Sequence, residues 1–236
     1  MGSRIATTRL VLFDIDGTLI RGNGAAKRAF EASLVAAFGT AGDTGIPFDG
    51  KTDPQITREL MRSAGFDDGA IDARMDTVVA GYLERLRAEV AAGTGVFEAL
   101  PGVPALLDAL AAREDVVLGL LTGNVAAGAA VKLDAARIDR ARFRVGAYGS
   151  DAEHRPDLPG VARRRAAAIV GATLAGADVV VVGDTPADIG CARPIGARSV
   201  GVATGRYGVD ELAAHDAAAV VPDFCDTAAA VAAVLG

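Results

Sequence analysis

Arg9-Leu10-Val11-Leu12-Phe13-Asp14-Ile15-Asp16-Gly17-Thr18 is a short apolar run that ends in two carboxylates and a glycine. An unbroken apolar run of this length, stopped by Asp and Gly, predicts a strand buried on both faces. Two later stretches have the same form. Residues 116–121 are apolar and lead into Thr122-Gly123-Asn124. Residues 178–182 are rich in valine and lead into Gly183-Asp184-Thr185-Pro186-Ala187-Asp188. Helical patterns are read over 104–113, 124–133 and 161–170, and further strands over 143–147, 199–203 and 218–221. Strand and helix in alternation predict an α/β fold, a doubly wound parallel sheet with helices on both faces. Ligands bind beyond the carboxyl ends of such strands. All three polar motifs fall at that edge.

Between the first motif and residue 95 the pattern changes. Ala29, Phe30, Leu34 and Phe38 recur at helical spacing, as do Ile56, Leu60 and Met61, and then Val78, Val79, Leu83 and Leu86. This predicts an all-helical insertion over 21–95, dividing a core made of 1–20 and 96–236. Arg21-Gly22-Asn23-Gly24 and the glycines near Gly93 are the expected hinges.

With 51 % hydrophobic residues the chain has ample material for a buried core. Aromatics are 5 % and Trp is absent, which argues against a base- or sugar-stacking surface. A net charge of −6 argues against a nucleic-acid partner. An acidic protein that handles phosphate esters needs positive charge concentrated locally, and a divalent cation does this. Cys191 and Cys225 are too few for a disulfide framework and are expected to be buried thiols. No segment is long enough to span a membrane, and residues 1–14 lack the apolar stretch of a signal peptide. The expectation is a cytoplasmic protein with no membrane partner. Oligomeric state is not legible.

The motifs suggest a chemistry. A carboxylate such as Asp14 can attack phosphorus, and a second one, Asp16, can exchange a proton with the leaving alcohol and with water. Asp184 and Asp188 offer hard oxygens suited to Mg²⁺. Thr122, with the N–H groups of Gly123 and Asn124, can hold phosphate oxygens. Each motif also has a plain reading. Asp14 to Gly17 can be a strand-end turn, Asp184 can cap a helix whose dipole Asp188 complements, and Thr122 can be an N-cap.

Taken together, in this order and over nearly the whole chain, Asp14-Ile15-Asp16-Gly17-Thr18, Thr122, a basic residue and Gly183-Asp184 with Asp188 resemble the haloacid dehalogenase superfamily of phosphohydrolases. The stretch from Gly183 to Leu212 is similar to its phosphoglycolate-phosphatase-like branch. The resemblance implies a Rossmann-like core with a helical cap closing over the strand ends. It implies a Mg²⁺-dependent phosphatase acting on a small phosphorylated metabolite through an aspartyl-phosphate. Asp14 would be the nucleophile and a metal ligand. Asp16 would be the acid/base, with its backbone carbonyl on the metal. Asp184 would complete the ligands, Asp188 would support the metal shell or orient the basic residue, and Thr122 would bind the phosphoryl group.

The family usually has a Lys before a helix. Here Arg155-Pro156 stands in its place, and a guanidinium suits phosphate. Arg163, Arg164 and Arg165 read as a solvated helix face, and His154 and His215 as loop residues. Lys51, in a Gly-Lys-Thr-Asp loop of the insertion, either reaches toward the substrate's own anionic group or belongs to a turn in which Thr52 or Asp53 caps the next helix. A phosphomutase needs the same motifs. A receiver-like module that only stores phosphate needs neither Asp16 nor an insertion. A dehalogenase is disfavoured, because those relatives lack the second Asp and need no Mg²⁺.

Overall fold

The computed structural model describes residues 8–236. Residues 1–7 lie outside this range, so the reading of the leading segment as no signal peptide falls partly beyond it. Six parallel strands form the sheet: β1 (Arg9–Phe13), β4 (Val116–Thr122), β5 (Val145–Tyr148), β6 (Val179–Gly183), β7 (Arg198–Val202) and β8 (Ala219–Val221), in the order β5-β4-β1-β6-β7-β8. The chain winds outward from β1 to one edge, then crosses back and winds to the other. β1 and β6 therefore flank the switch point, where a crevice opens at the strand ends.

Alternation along the central strands sorts the side chains into two layers. Leu10 and Leu12 face the same side as Val179, Val181 and Leu121, packing with Ala162, Ala166 and Cys191. The last three come from α6 (Leu158–Val170) and α7 (Pro186–Ala192). Val11 and Phe13 face the opposite side with Val180, Val182, Leu118 and Leu120, against Leu106, Leu133 and Val234. Those helices are α4 (Val103–Ala111), α5 (Ala126–Ala135) and α9 (Thr227–Leu235). Phe13, Leu10 and Leu12 have no exposed surface, and each such side chain contributes about 1.5–3 kcal/mol by leaving water.

The stretch after β1 carries three helices: α1 (Ala25–Phe38), α2 (Asp53–Ser63) and α3 (Asp68–Ala91). Phe30 meets Tyr82 edge-on with ring centroids 5.5 Å apart, joining α1 to α3. Phe30, Leu34, Ile56, Leu60, Val78 and Leu86 are buried as their spacing predicts, and they belong to the same apolar cluster as Val11 and Phe13. A two-stranded antiparallel ribbon, β2 (Ile20–Gly22) with β3 (Phe97–Ala99), carries the chain into and out of these helices. The Asn23 side chain bridges the two arms, donating to Thr94 O at 2.8 Å and accepting from Val96 N at 3.2 Å.

Three details differ from expectation. The ribbon was not anticipated, because three-residue strands leave no periodic signal. The strand expected over 143–147 begins at Val145, since a 3-10 turn over Arg140–Arg142 holds Phe143 N on Arg140 O. Cys191 is buried, but Cys225 is exposed on the turn where its N–H donates to Asp223. Among the described residues no helix is long and apolar enough to cross a membrane.

Candidate active site

Asp14 continues β1 by one residue, its N–H donating to Val182 O at 2.9 Å. The chain then folds back through Gly17, whose N–H donates to Ile20 O and whose φ is 81°. A side chain at Gly17 would run into the Asp184 carboxylate, and so would one at Gly205. Asp184 thus sits in a cradle that only two glycines leave open. Thr18 Oγ1 fixes it from the side, donating to Asp184 Oδ1 at 3.0 Å.

Asp188 closes the group. Thr185 caps α7, its Oγ1 accepting from Asp188 N at 3.2 Å, while Asp188 Oδ2 accepts from Thr185 N at 3.0 Å. Thr185, not Asp184, is thus the cap, and Asp188 lies in the first turn of α7, as a residue complementing the helix dipole would. Asp188 Oδ1 accepts from Arg155 Nη2, which also lies 3.0 Å from Asp14 Oδ1. Oxygens of Asp14, Asp184 and Asp188 lie within 4.8 Å of one another, and all three residues are buried.

The charge balance of this pocket floor is unfavourable by itself: three carboxylates face one guanidinium. Burial pushes the Asp14 carboxyl up to about 6; Arg155 opposes this, while Asp188 and Asp16 add to it. Burial, with Asp188 and Asp14 beside it, pushes Asp184 up to about 8. Close-set hard oxygens that carry too much negative charge fit a divalent cation such as Mg²⁺. Arg155 is also buried; desolvation opposes its charge, but Asp188 and Asp14 more than offset this and hold the guanidinium firmly protonated.

A model of the haloacid dehalogenase-like hydrolases matches residues 8–196. The chain belongs to this family. No curated protein matches it. Its fold is shared with solved structures at low identity. One is CbbY from Rhodobacter sphaeroides in complex with phosphate: 20 % identity, TM-score 0.67, covering 93 % of this chain and 96 % of that one. A hydrolase from Pseudomonas syringae aligns at 22 % identity and TM-score 0.65, covering 94 % and 97 %. A predicted phosphoglycolate phosphatase from Haemophilus somnus 129PT aligns at 20 % and 0.63, covering 96 % and 99 %.

In this haloacid dehalogenase-like hydrolase the strand-end residues and the helical insertion enclose a cavity of about 280 Å³. Asp14, Asp16, Thr122, Gly123, Asn124, Arg155 and Asp184 line it from the sheet side, and Phe30, Phe48, Lys51, Ile56 and Tyr82 from the insertion. The Asp16 side chain stands apart from the three clustered carboxylates: its Oδ2 accepts from Asn124 Nδ2 and from Lys132 Nζ, each at 2.7 Å. Lys51 reaches the cavity, but its ammonium donates to Glu59 at 2.5 Å. Thr52 caps α2 by accepting from Gln55 N at 3.2 Å. Asp53 caps nothing on its own helix; it crosses to the sheet side, where its Oδ2 accepts from Val125 N at 2.8 Å. Arg165 pairs with Asp151 on the surface, and His154 and His215 are exposed, as expected.

Sequence reasoning missed Lys132, Asp53 and Tyr82 as wall residues. Lys132 had a readable signal: it falls in the stripe Gly128, Ala129, Lys132, Leu133 that α5 buries, and a lysine in an apolar stripe demands a partner.

Proposed function

We propose that this hydrolase removes the phosphoryl group of a small phosphomonoester, with Mg²⁺ as its metal ion, through an aspartyl-phosphate on Asp14. The observation carrying the reading is the convergence of Asp14, Asp184 and Asp188 with Arg155 on the floor of a covered cavity that Thr122 also lines. Asp14, Asp184 and the backbone carbonyl of Asp16 would hold the metal, with Asp188 supporting them. Bound there, Mg²⁺ supplies the positive charge that lets a carboxylate approach a phosphate dianion.

Asp14 Oδ1 is engaged by Arg155, which leaves Oδ2 to attack. An Oδ2–P bond forms as the P–O bond to the alcohol breaks, and Asp16 gives its proton to the departing oxygen. Water then attacks phosphorus, Asp16 takes back a proton, and inorganic phosphate leaves. Thr122 accepts from Asn124 Nδ2 at 2.8 Å, so its own hydroxyl proton is free for a phosphoryl oxygen. The N–H of Gly123 would hold the same group, that of Asn124 would join it by leaving its 3.4 Å bond to Thr122 Oγ1, and Arg155 would neutralise it.

Residues 21–95 would act as a cap on a core of 1–20 and 96–236, excluding water from the ester. A cavity of about 280 Å³ with Phe30, Phe48 and Ile56 in its roof suits a small metabolite rather than a polymer, and Lys51, which lines it together with Lys27, would meet an anionic tail of the substrate. A net charge of −6 argues against a nucleic-acid partner.

The test is sustained release of inorganic phosphate from p-nitrophenyl phosphate and a panel of phosphorylated metabolites. Turnover should require Mg²⁺ and vanish in Asp14→Asn, and beryllofluoride should trap on Asp14. Full activity in Asp14→Ala would overturn the reading. An isomerised sugar phosphate without free phosphate would make the protein a mutase. A single stoichiometric phosphorylation without turnover would make it a storage module.

A further inference from the structure

Lys132 is 5 % exposed and lies inside α5, yet it lines the cavity. Its ammonium donates to Asp16 Oδ2 at 2.7 Å and to Asn124 Oδ1 at 2.6 Å. Burial disfavours its charge, but Asp16, Tyr82 and Asp53 outweigh that and keep it protonated. An ammonium can only donate, so the atom of Asn124 facing Lys132 must be the amide oxygen. The amide nitrogen is then forced to the other side, where it reaches both Asp16 Oδ2 and Thr122 Oγ1. Thr122 Oγ1 accepts from Asn124 Nδ2 and, at 3.4 Å, from Asn124 N, so its own proton is left for an acceptor other than Asn124. Asp16 Oδ2 is saturated by two donors, while Oδ1 has no protein donor among the described residues.

We propose that Lys132 is a positioning residue that sets the donor direction of the strand end: through Asn124 it aims the Thr122 hydroxyl proton into the cavity, and directly it pins Asp16 so that only Oδ1 exchanges a proton with the leaving oxygen and with water. The proposal rests on the phosphatase reading above, and it assigns a role to a residue outside the motifs that carry the family resemblance.

The experiment compares two substrates in Lys132→Met. An aryl ester such as p-nitrophenyl phosphate leaves as a stable anion and needs little help from an acid, whereas an alkyl phosphomonoester needs the proton. kcat/KM reports the steps through cleavage of the ester. With general acid catalysis contributing about 10²–10⁴-fold, K132M should lose about 100-fold in kcat/KM on the alkyl ester and less than about tenfold on the aryl ester. Lys132→Arg, which keeps a buried donor, should recover part of the alkyl activity and little else.

Equal losses on both esters, or no loss on either, overturn the proposal while leaving the phosphatase reading intact. If K132M does not fold, Asn124→Ala breaks the same relay from its other end and must show the same excess loss on the alkyl ester. A wild-type protein that hydrolyses neither ester overturns the phosphatase reading and this role with it.

Discussion

Gly17 meets two independent demands, and either would select glycine. Its φ of 81° costs an L side chain about 1–2 kcal/mol, and the space where a Cβ would sit is taken by the Asp184 carboxylate. Gly17→Ala should therefore destabilise the protein by more than the conformational cost alone. Urea unfolding would measure that loss, and a Mg²⁺-induced rise in Tm weaker than in the wild type would show that Asp184 has been displaced. Arg155 offers a second test. Removing one partner of a buried ion pair costs about 3–5 kcal/mol, because the other is left buried and uncompensated. Arg155→Met, facing both Asp14 and Asp188, should fall in that range, and Arg155→Lys should cost less. Unfolding curves of the two variants within 1 kcal/mol of wild type, a margin about the size of an exposed ion pair, would mean that the guanidinium is not needed as a countercharge.

Among the elements, α2 ties the insertion to the sheet. Thr52 caps it and also donates to Glu153 O at 2.5 Å, Asp53 N donates to Gly123 O at 2.8 Å, and Arg58 reaches Glu153 at 2.8 Å. Thr52→Val keeps the shape and loses both hydroxyl bonds, so it should cost about 1–2 kcal/mol and speed amide exchange over the first turn of α2. Unchanged exchange there would rule out the cap. What could be read in advance follows the length and period of each element. β1, β4 and β6 were legible as apolar runs ending in polar motifs, and α1 to α3 as helical stripes. The β2–β3 ribbon was too short to carry a period. The spacing of Asp14, Asp184 and Asp188 in sequence says nothing of their distance; their meeting became readable only through the parallel winding that puts β1 beside β6. Lys132 escaped because its helix was read for its apolar content, although the charge inside the stripe was the informative residue.

At the scale of the whole molecule, the switch point gathers acidic groups that the fold alone does not neutralise. Asp14 and Asp184, pushed up to about 6 and about 8 mainly by burial, bind protons more tightly folded than unfolded. Between roughly pH 4 and pH 8 the native state then holds more protons than the unfolded chain, so these groups make stability fall as pH rises. A divalent cation competes with those protons and relieves the repulsion that replaces them. Its stabilising effect should grow over the same interval. For Mg²⁺ at about 100 times its Kd, the gain of about 2.7 kcal/mol corresponds to a Tm rise of about 5–10 °C for a chain of this size. That rise should be reached near pH 8 and be clearly smaller near pH 5.5. Asp184→Asn removes one carboxylate but keeps an acceptor for Thr18, so it should raise the Tm of the metal-free protein at pH 8 and abolish most of the Mg²⁺ increment. Thermal scans with EDTA and with Mg²⁺ at the two pH values decide the matter. Equal increments at both, or a metal-free Asp184→Asn protein less stable than wild type at pH 8, would show that the clustered carboxylates are balanced by something other than a metal ion.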